Sequence, residues 1–181
     1  APPISKEGAE YVYQWIHSDP QKIYFDDNFS PNPANILTID EIINGKVKGS
    51  FYNLFDCSIS RYTANGGNIA SEYLKGEYGL ATLGSTKTGG IFNPEVMNIA
   101  LANGENWGTG YQMWVNDIWE NYASYGFDHA FIESWWLGMM IQGDPLLTLT
   151  DKKTFTVKST YPKKFYTKEQ IRILNRTRGI H

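Results

Sequence analysis

Apolar residues in this chain come in short blocks separated by polar, Gly- and Pro-bearing segments. The first block, residues 11–16, is aromatic and β-branched and reads as a strand. His17, Ser18, Asp19 and Pro20 follow it with turn chemistry, and a loop rich in Asp, Asn and Pro occupies 26–35. Thr38 is a natural N-cap for a short helix over 39–44, closed by Gly45. A second strand is predicted over 50–55, then a helix over 69–75 capped by Asn68 and stopped by Gly76. A third, buried strand is expected over 79–84.

Strands alternating with helices through short connections predict an α/β fold with a mainly parallel sheet, right-handed crossovers and helices on both faces, a three-layer αβα architecture. After Thr88 the pattern turns helical: 94–102 with Pro94 at its start, 109–122, and 128–142 ended by Gly143. Further strands are expected over 146–150 and 154–158, and a basic helix or tail over 167–176. There is no internal repeat and no low-complexity segment.

Composition narrows the classes. With 181 residues the chain is one domain, or one domain with an appendage. An aromatic share of 15% excludes a disordered solvating chain. Sixteen basic against 19 acidic residues, net charge -3, leave no basic footprint for nucleic acid. No apolar run reaches the roughly 18 residues of a membrane span. One cysteine, Cys57, excludes an internal disulfide framework.

The chemistry then centres on two strand ends. In open α/β sheets, ligands bind outside the carboxyl ends of the parallel strands. His17 follows the strand 11–16 and Cys57 follows the strand 50–55. Neighbouring strands would bring both side chains to the same rim, where an imidazole can act as the base that turns a thiol into a nucleophile. A lone cysteine is more often buried packing and a lone histidine more often a hydrogen-bonding group; their joint position at successive strand ends favours catalysis.

The segment Phe51-Tyr52-Asn53-Leu54-Phe55-Asp56-Cys57-Ser58-Ile59-Ser60-Arg61-Tyr62 resembles the strand and nucleophile loop of gingipain-like cysteine peptidases, members of the caspase-like clan. Residues 68–75, followed by Gly79-Leu80-Ala81-Thr82-Leu83-Gly84-Ser85-Thr86, are similar to that family's next helix, strand and Ser-rich turn. Gly143-Asp144-Pro145-Leu146-Leu147 is similar to the segment that closes its catalytic domain. The resemblance covers residues 11–150. It implies a caspase-like sheet lacking its first strands, a peptidase domain over 1–150 and an extension, or the start of a following segment, over 151–181.

What it implies chemically is a cysteine endopeptidase acting through a thioester, with Cys57 as nucleophile, His17 as general base, and the backbone amides of Ser18 and Cys57 as oxyanion donors. Ser85, Thr86 and Trp107 would lie beside the substrate. The implied partners are a polypeptide substrate and an N-terminal half or preceding domain of the same precursor. The implied location is secreted or at the cell surface. The family usually places Gly on both sides of the histidine, whereas Ile16 and Ser18 stand here. That departure motivates an alternative, a catalytically inactive peptidase-like surface or adhesion module.

Weaker candidates remain. No cofactor is expected. Asp26-Asp27-Asn28 is a candidate for structural calcium, with a solvated turn the stronger reading. Asp144 in Gly-Asp-Pro is read as a turn residue capping amides, and His129 as a surface or capping group. Trp107, Trp114, Trp119, Trp135 and Trp136 suggest a glycan platform, but their helical spacing favours core packing.

Overall fold

The computed structural model describes residues 9–26, 32–45, 47–88, 92–121 and 128–149. The expected strand, helix and strand over 154–158, 167–176 and part of 146–150 lie outside these residues, as do Asp27 and Asn28.

Four strands form the main sheet: β1 (Ala9–Gln14), β5 (Gly49–Leu54), β6 (Ala81–Ser85) and β7 (Met139–Gly143), in the order β1-β5-β6-β7. The β1/β5 and β5/β6 pairs are parallel and β6/β7 is antiparallel. The fold is therefore mixed α/β with a mainly parallel sheet. Between β1 and β5 the chain makes a small antiparallel sheet from β2 (His17–Ser18), β3 (Lys22–Tyr24) and β4 (Ile36–Thr38), then helix α1 (Ile39–Gly45). Helix α2 (Ile69–Lys75) links β5 to β6, and α3 (Glu95–Ala102), α4 (Trp107–Asn121) and α5 (His129–Trp136) precede β7.

Strand alternation sorts the core into two. Phe51 and Phe55 of the β5 segment, with Ala81 and Leu83 of β6, pack against Met97, Leu101, Trp107, Trp114, Ile118, Ile132 and Trp135 from α3, α4 and α5. The intervening residues Tyr52 and Leu54 pack with Ile39 and Ile42 of α1 and Ile69, Ala70 and Tyr73 of α2. Both faces of the sheet are thus covered, which explains why β5 reads as one continuous apolar run.

The helix caps act as expected. The Asn68 side chain accepts from the Ser71 amide, and Gly76 terminates α2. Thr38 Oγ1 accepts from the Glu41 amide while the Glu41 carboxylate accepts from the Thr38 amide, a reciprocal capping box.

Three elements depart from expectation. The predicted helix 128–142 stops at Trp136, and Met139–Gly143 is a strand. Apolar residues at 137–141 suit either state; the open edge of β6 and a turn at Gly138 decide for pairing. The predicted strand 146–150 is not one in its described part: Thr148 makes an isolated bridge to Asn106, and Leu147 and Leu149 pack on the larger cluster. Between 17 and 38, where only a turn over 17–20 and a loop over 26–35 are expected, the chain forms β2, β3 and β4, each of two or three residues and too short for an alternation signal.

Candidate functional site

The parallel strands β1 and β5 end side by side, with Gln14 in register with Leu54 and the Phe55 amide donating to the Gln14 carbonyl. The chain leaving β1 reaches His17 three residues later, and the chain leaving β5 reaches Cys57 three residues later. The two loops are fastened twice. The Ile16 amide donates to Asp56 Oδ1 at 2.8 Å, and Ser18 Oγ donates to the Cys57 carbonyl at 2.6 Å. The residues bracketing His17 are therefore each bonded to the Asp56-Cys57 dipeptide. Both His17 and Cys57 are half-buried.

Ladder geometry orients the next residues. Asp19 and Lys22 form a hydrogen-bonded pair, the Asp19 amide donating to the Lys22 carbonyl. Ser18, opposite Ile23, is then at a non-hydrogen-bonded position, so its amide points away from β3. His17 is opposite Tyr24, on the other face of the ribbon from Ser18 and Ile23. Ile23 is buried beneath the ribbon, and the Tyr24 hydroxyl donates to Asp19 Oδ2 at 2.6 Å.

The cysteine loop is laced to the turn after β6. The Ser58 amide donates to the Lys87 carbonyl at 2.8 Å and the Ser60 amide to the Ser85 carbonyl at 2.9 Å. Ser58 takes a positive φ of 55°, an uncommon conformation for a residue with a side chain, at the turn just past the thiol. Among the described residues the Cys57 amide has no hydrogen-bond acceptor, unlike those of Ser58 and Ser60. Close packing enforces the arrangement, because a Cβ at Gly84 would meet Ser60 and Ile59.

Of the other residues expected beside a substrate, Ser85 and Thr86 lie on this rim. Ser85 is buried, and its hydroxyl donates to the Lys87 carbonyl and accepts from the Lys87 amide. Thr86 is half-buried, with both its amide and hydroxyl donating to the Gly138 carbonyl. Both side chains build the turn.

Trp107 is a correction. It is fully buried, its ring 5.9 Å from Tyr11 and 5.3 Å from Phe51. Those are register partners three residues below the end of the strand pair, so Trp107 is core beneath the sheet and not a wall of the rim. Trp114 and Trp135 join it in the core, which takes these three out of the candidate glycan platform; half-buried Trp119 packs against exposed Trp136.

Asp56 is the residue that sequence reasoning passed over. It is 4% exposed and accepts from Ile16 N and from Gln14 Nε2, the latter at 2.6 Å. Loss of hydration pushes its carboxyl up to about 8, against the opposing effect of these two bonds. A signal was present: positions 52 and 54 face the α1/α2 core, and alternation carries 56 to the same side.

Among the described residues there is no cluster of His, Cys, Asp or Glu suited to a metal ion. Asp26 accepts from the Asn35 side chain, and Asp144 Oδ1 accepts from the Leu146 amide, as a turn-capping group does. The His129 ring packs against Trp119 at the start of α5. No described helix is long and apolar enough to cross a membrane. No family model matches the chain, and neither a curated protein nor a solved structure matches it at the significance required.

Proposed function

We propose that this chain is a cysteine endopeptidase domain of the gingipain-like, caspase-like type, with Cys57 as nucleophile and His17 as general base. The observation that carries the reading is the double fastening of the His17 loop to the Asp56-Cys57 dipeptide at the ends of adjacent parallel strands. Two loops that merely pass each other have no need of it, whereas a nucleophile and its base must be held in fixed relation.

In this reading His17 takes the thiol proton and the Cys57 thiolate attacks the scissile carbonyl carbon. The amides of Cys57 and Ser18, one without an acceptor and one turned away from its ladder, are the donors for the developing oxyanion. The C–N bond breaks, His17 returns the proton to the leaving amine, and an acyl thioester remains. Water, deprotonated by His17, then releases the acid and frees the thiol.

The test is labelling by a peptidyl chloromethyl ketone, followed by mass mapping. Cys57 is expected to react far faster in the native chain than in denaturant, and His17→Ala is expected to slow it by roughly 100-fold. Native labelling no faster than in the denatured chain sinks the active-enzyme reading.

The alternative, a catalytically inactive peptidase-like surface or adhesion module, draws on Ser18. The family usually has Gly there, and here a buried side chain occupies the place and engages the nucleophile's own carbonyl. For that module, His17→Ala leaves Cys57 labelling unchanged.

A further inference from the structure

We propose that Asp56 is a positioning residue for the Cys57–His17 pair: its buried carboxyl holds the chain on both sides of the turn from β1 into the His17 loop, through the Gln14 side chain and the Ile16 amide. The inference rests on the peptidase reading and adds to it the group that sets the distance between the two reactive loops.

The geometry has three parts. Asp56 is the residue before the nucleophile, so anything it holds is held relative to Cys57. Its two oxygens are bonded to separate points of the neighbouring chain, Oδ1 to Ile16 N at 2.8 Å and Oδ2 to Gln14 Nε2 at 2.6 Å. Ile16 directly precedes His17, so the imidazole is one residue from the clamp. The Ser18 hydroxyl completes the hold from the other side through the Cys57 carbonyl.

Burial decides the protonation state in which the clamp works. The titratable groups that feel this carboxyl are Tyr13 of β1 and Tyr73 of α2, with Cys57 and His17 adjacent along the two loops. No ion pair to Asp56 exists among the described residues. Desolvation therefore outweighs the amide bonds, and at neutral pH the carboxyl is mainly protonated. The neutral acid keeps Oδ1 as acceptor for Ile16 N–H. Its Oδ2–H donates to Gln14 once that amide is turned to present its oxygen, which leaves Gln14 Nε2 toward the Tyr73 hydroxyl that otherwise donates to Oε1 at 3.5 Å. The clamp thus survives protonation without placing a negative charge beside the thiolate. Ionisation at alkaline pH brings that charge to the residue next to the nucleophile.

The experiment compares wild type, Asp56→Asn, Asp56→Ala and Gln14→Ala, each shown to be folded by near-UV circular dichroism. Cys57 alkylation by iodoacetamide is followed from pH 6 to 9.5, together with exchange of the Ile16 amide and the His17 ring resonances by NMR. D56N retains an acceptor for Ile16 and is expected to label within about twofold of wild type at pH 7. D56A is expected to label roughly tenfold more slowly, with shifted His17 resonances and a deprotected Ile16 amide. Q14A, which removes one of the two bonds, is expected to fall between them, and it decides the matter if D56A does not fold. A folded D56A, or Q14A in its place, with wild-type labelling, Ile16 protection and His17 resonances overturns the inference. If H17A shows that no dyad operates, the peptidase reading falls separately. The clamp is then decided by Ile16 exchange alone: at least tenfold faster in D56A supports it, and unchanged exchange overturns it.

Discussion

At the scale of single residues, the site depends on where polar groups sit against a buried strand end. Asp56 is the sharpest case. Its carboxyl ordinarily titrates near 3.8 and is pushed up to about 8 by burial, so in the window between those values the folded chain holds a proton that the unfolded chain has released. Unfolding then releases a proton, and stability falls as pH rises through that window. Asp56→Asn has no such titration at this position. Urea midpoints for wild type relative to D56N are therefore expected to decline between pH 5 and pH 8.5; a constant difference across that range contradicts the buried-acid assignment. The positions of His17 and Cys57 just past the ends of two strands were legible from sequence, because an apolar run ends at Ile16 and another at Phe55. The clamp was not, since one acidic letter beside a cysteine does not reveal which amides it meets.

At the scale of elements, local signals worked where the cause is local. Asn68 and Gly76 delimit α2, and Thr38 with Glu41 starts α1, because a cap is a bond between residues three apart. They failed at the C-terminal end of α5, where an apolar run turns back as β7. Gly143 ends that strand with a φ of 96°, and a Cβ there would run into the Leu80 carbonyl. Gly143→Ala is expected to lower stability by at least about 2 kcal/mol, measured by urea denaturation, from positive-φ strain and the loss of close approach together. An effect near zero would mean that the β6/β7 register does not require the turn. The small sheet β2-β3-β4 escaped notice for another reason. It is held by cross-strand pairs such as His17 with Tyr24 and Ile23 with Leu37, which are far apart in sequence relative to the strands' own length.

At the scale of the whole molecule, a sheet with helices on both faces places its site at the strand ends and its bulk below. The larger core cluster, with Trp107, Trp114 and Trp135, supports the rim from beneath without contributing a lining. Trp107→Ala is accordingly expected to cost about 3–5 kcal/mol of stability. Under conditions where it remains folded, the rate of Cys57 labelling by the peptidyl electrophile is expected to stay near wild type. A selective loss of labelling with little loss of stability would return Trp107 to the substrate side. Two independently packed faces also explain why the sequence shows few cleanly amphipathic strands: β5 and β6 are buried on both sides, so their apolar runs report depth and not orientation.

The alternation β1, α1, β5, α2, β6 that builds the main sheet, the caps at Thr38 and Asn68, and the placement of His17 and Cys57 just past strand ends were determined by the sequence alone. Each follows from residue type and spacing over a few positions, where backbone sterics and local hydrogen bonds act. Only the tertiary structure decided that β7 runs antiparallel at the edge, that Trp107 is core, and that Asp56 joins Gln14 and Ile16. Those outcomes depend on which distant segments become neighbours. A buried carboxyl, an indole and an apolar pentapeptide each have several satisfactory environments, and packing selects among them only when the whole chain has closed.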